Sequence, residues 1–300
     1  MAHKRIRPLR SFLIRIGMKI LFFLGRVFPA TLLYGFGAGV GDLFYLLARK
    51  NRRIALANAR LALGNEVAPA RLRTIVRQSC RTIGRAVVDV PRFMHMPAKQ
   101  MRHLVSLTGV EHLEKALQAG KGVIGISAHL GSFLLVGSRL RAEEYRVHYI
   151  ARHMRDRSVE QISLQVARQT KIQIIFNRPA VACFRQCVAA LTRNEIVIIE
   201  VDQNFGSEGV TIPFFNRPAV MATGPLVLAQ RTSAVMLPMF VINEEGFRYR
   251  VVIEPALDVP SGQDAEQRFA EQLITLMERY IRQRPGQWIS WMHTPWRTEA

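Results

Sequence analysis

His129 stands two residues beyond the run Val123–Ser127, in the stretch GVIGISAHLGSFLLVGSRL at 122–140. An imidazole at the end of a buried strand is suited to general-base work, because its ordinary pKa lies near neutrality and either ring nitrogen can carry the proton. Gly131 and Ser132 follow at once and are read as opening a helix whose free N–H groups would hold an anion or an oxyanion. The second stretch with chemistry in it is NEIVIIEVDQNFG at 194–206. An extended strand sends Glu200 and Asp202 to one face and Val201 to the other. Two acids ending an apolar strand are costly unless they are paired or at work, and Gln203 beside them is read as a substrate-binding residue. Cys80, Cys183 and Cys187 are too few for a disulfide framework. The spacing of the last two suits one helix face better than a zinc site, so all three are read as buried or inert thiols. No metal-ligand or cofactor motif stands out, and neither is expected.

The elements around these residues alternate. LVSLT, VIGIS, YRVHYIA, IQIIF and EIVIIEV read as short apolar strands, with helical patterns between them and a long helix predicted over 263–283. Strands that alternate with helices make an α/β fold with a mostly parallel or mixed sheet flanked by helices, and ligands bind at the carboxyl ends of such strands. His129 and the Glu200–Asp202 pair both fall at such ends. TIPFFNRPAVMATGPLVLA reads as a strand, a turn around Asn216–Pro218 and a helix entered near Thr223–Gly224. No internal repeat or low-complexity linker breaks the chain.

Charge is concentrated at one end. The net charge is +20, and residues 1–100 carry nineteen Lys and Arg against three acids, which leaves +16 in the first third. An anionic partner follows from that imbalance. In LRSFLIRIGMKILFFLGRVF the cations Arg15, Lys19 and Arg26 fall within roughly 40° of one another on a helical wheel, a narrow basic stripe on an apolar helix. The next stretch, VFPATLLYGFGAGVGDLFYLLA, approaches the length of a membrane span, but Pro29, Asp42 and four glycines suit a helical hairpin packed on the rest equally well. Residues 1–50 are therefore expected to form basic, amphipathic, membrane-associating helices, and residues 51–300 the α/β domain. A cleaved signal peptide is disfavoured by cations inside the apolar part and by the lack of a small-x-small site. Nucleic-acid binding is suggested by charge alone, with no recognition motif, and no nucleic-acid partner is expected.

Five segments in order resemble one family, the bacterial lipid A biosynthesis acyltransferases, within the lysophospholipid and glycerol-phosphate acyltransferase superfamily. They are RRIALANARLALG (52–64), GKGVIGISAHLGSF, YIARHM, VDQNFGSEGVTIPFFNRPAVMATGPLVLA and RPGQWISWMHTPW (284–296), the last resembling the family's Pro-x-Gln-Trp signature. The resemblance implies acyl transfer from acyl-carrier protein, or acyl-CoA, to a hydroxyl of an anionic glycolipid such as a lipid A precursor, at the cytoplasmic face of the bacterial inner membrane. It makes His129 the general base and Arg152 a basic residue near the acceptor phosphates, with no covalent acyl-enzyme and no metal. The family's motif places an acid five residues after the histidine. This chain has Leu134 there. Two accounts stand: Glu200 or Asp202, brought near by a parallel sheet, orients His129, or the protein departs from the family, either acylating another acceptor (another glycolipid or an amine) or serving as a catalytically weakened lipid-binding member. Trp288 and Trp291 are expected to pack the core, while Trp296 is left open between packing and an interfacial belt.

Overall fold

The computed structural model describes residues 16–17, 20–25, 27–64, 67–154, 156–203 and 209–293. The cationic stripe of Arg15, Lys19 and Arg26, and also Trp296, lie outside them. Residues 20–25 are helical, and after them come α1 (Ala30–Leu47), α2 (Arg49–Leu63) and α3 (Pro69–Phe93), then the short α4 (Ala98–Leu104). From there strands and helices alternate: β1 (Val105–Thr108), α5 (Val110–Gln118), β2 (Val123–Ser127), α6 (Leu135–Ala142), β3 (Val147–Ala151), α7 (Arg157–Gln169), β4 (Gln173–Phe176), α8 (Ala180–Thr192) and β5 (Ile196–Glu200). A hairpin of β6 (Val210–Phe214) and β7 (Arg217–Met221) precedes α9 (Gly224–Thr232), β8 (Val235–Asn243), β9 (Tyr249–Ile253) and α10 (Ala265–Gln283). Two short 3₁₀ turns, Pro285–Gln287 and Ile289–Met292, finish the described chain.

The seven-stranded sheet has the order β1-β9-β8-β2-β5-β3-β4. β8, β2, β5, β3 and β4 are mutually parallel, and β9 runs antiparallel to β8 with β1 parallel to it. The sheet is therefore mixed and mostly parallel, the α/β architecture expected. Its middle strands are apolar on both faces, since α5 and α6 cover one side and α8, α9 and α10 the other. All five residues of β2 are buried. Because β2 and β5 are neighbours in register, Ser127 lies opposite Glu200, and the loops that follow both strands emerge together at one edge of the sheet.

The apolar helix α1 is clasped to α3. A Cβ on Gly84 would lie 2.0 Å from the Gly37 carbonyl oxygen, and one on Gly41 would lie 2.4 Å from that of Cys80, so only glycine permits this approach. Asp42 holds Arg77 and Arg81, each at 2.7 Å. The outer side of α1 carries Leu32, Phe36, Val40, Leu43 and Leu47, all exposed and spaced as one helical stripe. Among the described residues α1 is the one helix long and apolar enough to cross a membrane.

Candidate active site

The site is built where β2 and β5 end. His129 Nδ1 lies 2.7 Å from Asp202 Oδ1, and the same oxygen accepts the His129 backbone N–H at 3.0 Å. Asp202 Oδ2 accepts Trp288 Nε1–H and the Ser290 hydroxyl, both at 2.8 Å, and Gln203 Nε2 donates to Ser290 Oγ at 3.1 Å. Every lone-pair direction of this buried carboxylate is thus engaged. Trp288 and Trp291 are fully buried and pack edge to face at 4.5 Å, so both tryptophans pack the core as expected, and Trp288 also holds the acid.

Burial by itself would lower the pKa of His129, but the charge of Asp202 and its hydrogen bond, aided by Glu200, carry it above its ordinary value of 6.5. Burial would raise the Asp202 carboxyl, and His129, Ser290 and Trp288 hold it below the usual range. Glu200 behaves in the opposite way: burial pushes it up to about 7, with His129 opposing and Asp202 adding to the rise. Its Oε1 has no hydrogen-bond partner among the described residues, and neither has Ser127 Oγ beside it. Two carboxyls near one imidazole are therefore driven apart, one charged and clamped, the other raised to titrate near neutrality. The expected common face for Glu200 and Asp202 does not produce a shared role, because β5 ends at Glu200 and Asp202 sits in the bend beyond. Only Asp202 reaches the imidazole.

The reading of Gly131 and Ser132 needs correction. α6 begins at Leu135, and neither N–H is free. Gly131, at φ +57°, donates to the Gln287 carbonyl at 2.9 Å, and Ser132 donates to Asn243 Oδ1 at 2.9 Å. A Cβ at Gly131 would meet that same Asn243 oxygen at 2.5 Å, so the loop takes only glycine there. The Ser132 hydroxyl turns to Asp89 Oδ2, away from His129, and is not arranged as a nucleophile. Arg152 follows β3, is exposed, and lies close enough to His129 and His293 to act electrostatically on both. Leu134 is 44% exposed, and Phe133 lies 4.5 Å from the His129 ring.

Sequence reasoning missed the residues that hold this loop. Gln287 is bonded to both backbone groups of Asn243, Ile289 N–H donates to the His129 carbonyl at 3.0 Å, and Asn58 Nδ2–H reaches the Trp291 carbonyl at 2.9 Å. Gln287 and Trp288 fall in the Pro-x-Gln-Trp signature, the one sequence signal that could have found them. Asp89, Tyr34 and Tyr249 carry no such signal.

An imidazole–carboxylate pair at the carboxyl edge of a parallel sheet, with no side-chain nucleophile aimed at it among the described residues, is suited to activating a hydroxyl that arrives with a substrate. The chain belongs to the bacterial lipid A biosynthesis acyltransferase family, whose model matches residues 2–298, and it is an acyltransferase. It is 24% identical over 275 residues to the lipid A biosynthesis palmitoleoyltransferase of Escherichia coli (strain K12), covering 90% of this chain and 86% of that protein. The lipid A biosynthesis acyltransferase of Shigella flexneri matches to the same extent. A phosphatidylinositol mannoside acyltransferase of Mycobacterium tuberculosis (strain CDC 1551 / Oshkosh) is 26% identical over 210 residues, covering 68% of this chain and 64% of that protein.

Proposed function

We propose that this protein transfers a fatty acyl group from the thioester of acyl-carrier protein or acyl-CoA to a hydroxyl of an anionic glycolipid such as a lipid A precursor. The observation that carries the reading is the 2.7 Å bond between His129 Nδ1 and Asp202. It fixes the proton on Nδ1 and leaves Nε2 as the free base. Nε2 takes the proton of the acceptor hydroxyl as its oxygen attacks the thioester carbonyl. The tetrahedral intermediate collapses with cleavage of the C–S bond, and the imidazolium returns the proton to the departing thiolate. Asp202 stabilises the imidazolium between these steps. Arg152 pairs with acceptor phosphate, and Glu200, its carboxyl raised to about 7, lies beside the reacting groups. Neither Gly131 nor Ser132 is left with an N–H for substrate, so their part is to shape the loop. Residues 1–50 associate with the inner membrane, the exposed stripe of α1 entering lipid at its cytoplasmic face, and residues 51–300 carry the chemistry. High salt should then leave the protein in the membrane pellet, where a nucleic-acid binder would be stripped.

The test is mass spectrometry of the product formed by the purified, detergent-solubilised protein from acyl-carrier protein or acyl-CoA and a lipid A precursor. His129→Ala should lose about 10²–10⁴ in rate. Equal product from wild type and His129→Ala would remove the imidazole from the mechanism. A second acceptor class is favoured by Leu134 in place of the motif acid and by the phosphatidylinositol mannoside relative. A parallel reaction with a phosphorylated mannolipid distinguishes the two, since only the true acceptor gains acyl mass.

A further inference from the structure

Four elements converge on a carboxyl that the chemistry above does not use. Asp89 of α3 is 3% exposed and lies beneath the loop that follows His129. Its Oδ2 accepts the Ser132 hydroxyl, and its Oδ1 accepts Tyr34 of α1 and, at 2.7 Å, Tyr249 of β9. Arg92 Nη1 donates to the Tyr34 oxygen at 2.5 Å. Tyr249 also lies 2.6 Å from that oxygen, but its single proton serves one acceptor at a time. With Arg92 supplying Tyr34, Tyr249 is free to donate to Asp89, and the carboxylate gathers three hydroxyl donors.

The other ties of this loop come from a different direction. The His129 N–H goes to Asp202, its carbonyl to Ile289, the Gly131 N–H to Gln287 and the Ser132 N–H to Asn243. These anchor the loop to the sheet and the C-terminal turns. The Ser132 side chain joins it to the helical layer, and through Asp89 and Tyr34 to α1, whose outer face is an exposed apolar stripe. We propose that Asp89 is a positioning residue that holds the His129 loop through Ser132 and, through Tyr34, makes the geometry of that loop depend on how α1 is seated. Nothing at Asp89 touches substrate. It acts on turnover by fixing where the imidazole points, where a misplacement of about 1 Å is worth about a hundredfold in rate.

The kinetic arm rests on the acyl-transfer reading, so the experiment carries a second arm that needs no substrate. Asp89→Ala would leave three buried hydroxyls without their acceptor and disturb the packing as a whole, whereas Ser132→Ala and Tyr34→Phe each remove one hydroxyl from an otherwise unchanged packing. In hydrogen–deuterium exchange, both variants should speed the amides of residues 130–134 about tenfold while those of β2 stay protected. In acyl transfer, each should lower kcat about tenfold at unchanged KM, and the double variant should lose no more than Ser132→Ala alone, because the loop is by then uncoupled from α1. Unchanged loop exchange in Tyr34→Phe overturns the proposal, as does equal acceleration in the loop and in β2, or additive kinetic losses. A wild type inactive in acyl transfer would refute the assigned reaction and leave the exchange arm to decide the role of Asp89.

Discussion

Replacing Asp202 by asparagine keeps the outline of the side chain and changes only its charge and its protons. The carboxylate now accepts on both oxygens, from His129 N–H and Nδ1–H on one side and from Trp288 and Ser290 on the other. An amide has one oxygen. If that oxygen faces Trp288 and Ser290, the NH₂ meets Nδ1 as a donor, which moves the imidazole proton to Nε2 and destroys the base. If it faces His129, the tautomer survives but Trp288 Nε1–H is left buried and unpaired. Each arrangement leaves one N–H unsatisfied, about 1–3 kcal/mol, which a domain of ordinary stability survives. The kinetic loss is larger, because imidazolium stabilisation disappears in both. A fall of about 10²–10⁴ in kcat corresponds to about 3–5 kcal/mol in the barrier. The pH profile separates this from general damage. In the wild type the base must lose a proton held above pH 6.5, so activity rises through an alkaline-shifted limb. In Asp202→Asn the effect of burial persists and the carboxylate's does not, so the limb moves to lower pH while the plateau drops. The assay is kcat/KM for acyl transfer from pH 5 to 9. A plateau at the wild-type level, or a limb that moves up, would refute the pairing as the source of the base.

Glu200→Gln tests the raised carboxyl. A group whose folded pKa of about 7 exceeds its unfolded 4.5 binds more protons when folded, so the fold loses stability as pH rises from 4.5 to about 7. Removing it should raise the melting temperature at pH 8 but not at pH 4.5, with about 3 kcal/mol as the upper bound, and a gain that is the same at both pH values would contradict the assignment. Leu134→Glu restores the family's acid at an exposed position, but Nδ1 is already taken by Asp202. Its kcat should stay within about twofold of wild type, and a gain of tenfold or more in steady-state turnover would show that the site lacks a carboxylate. Gly84→Ala places a methyl 2.0 Å from the Gly37 carbonyl and should cost about 1–3 kcal/mol in thermal melts. Gly39→Ala, which meets nothing within 4 Å, should cost none, and equal melts for the two variants would contradict the helix clasp.

The sequence located His129 and both acids because each ends an apolar run, and that signal is local. It could not choose between Glu200 and Asp202. The choice depends on where β5 stops pairing with β2 and the chain bends, which is set by a neighbour some seventy residues away in the chain. The turn and the entry to α9 fall almost where the turn chemistry puts them, but the second strand of the hairpin, β7, is not read from the sequence and takes in Pro218. α6 starts four residues later than Gly131, because the Gln287 carbonyl and Asn243 side chain took the N–H groups that a helix start would have left open. No pattern in α3 sets Asp89 apart from any other polar residue of a helix. Its meaning comes from three hydroxyls at positions 34, 132 and 249, which only the folded chain brings together.

Residues 285–290 supply Gln287, Trp288, Ile289 and Ser290 to the His129 loop and to Asp202, and they follow every strand and long helix described. During synthesis, therefore, the sheet can form while the acid still lacks two of its hydrogen-bond donors. The imidazole–carboxylate pair is completed only when this final strap has emerged and closed.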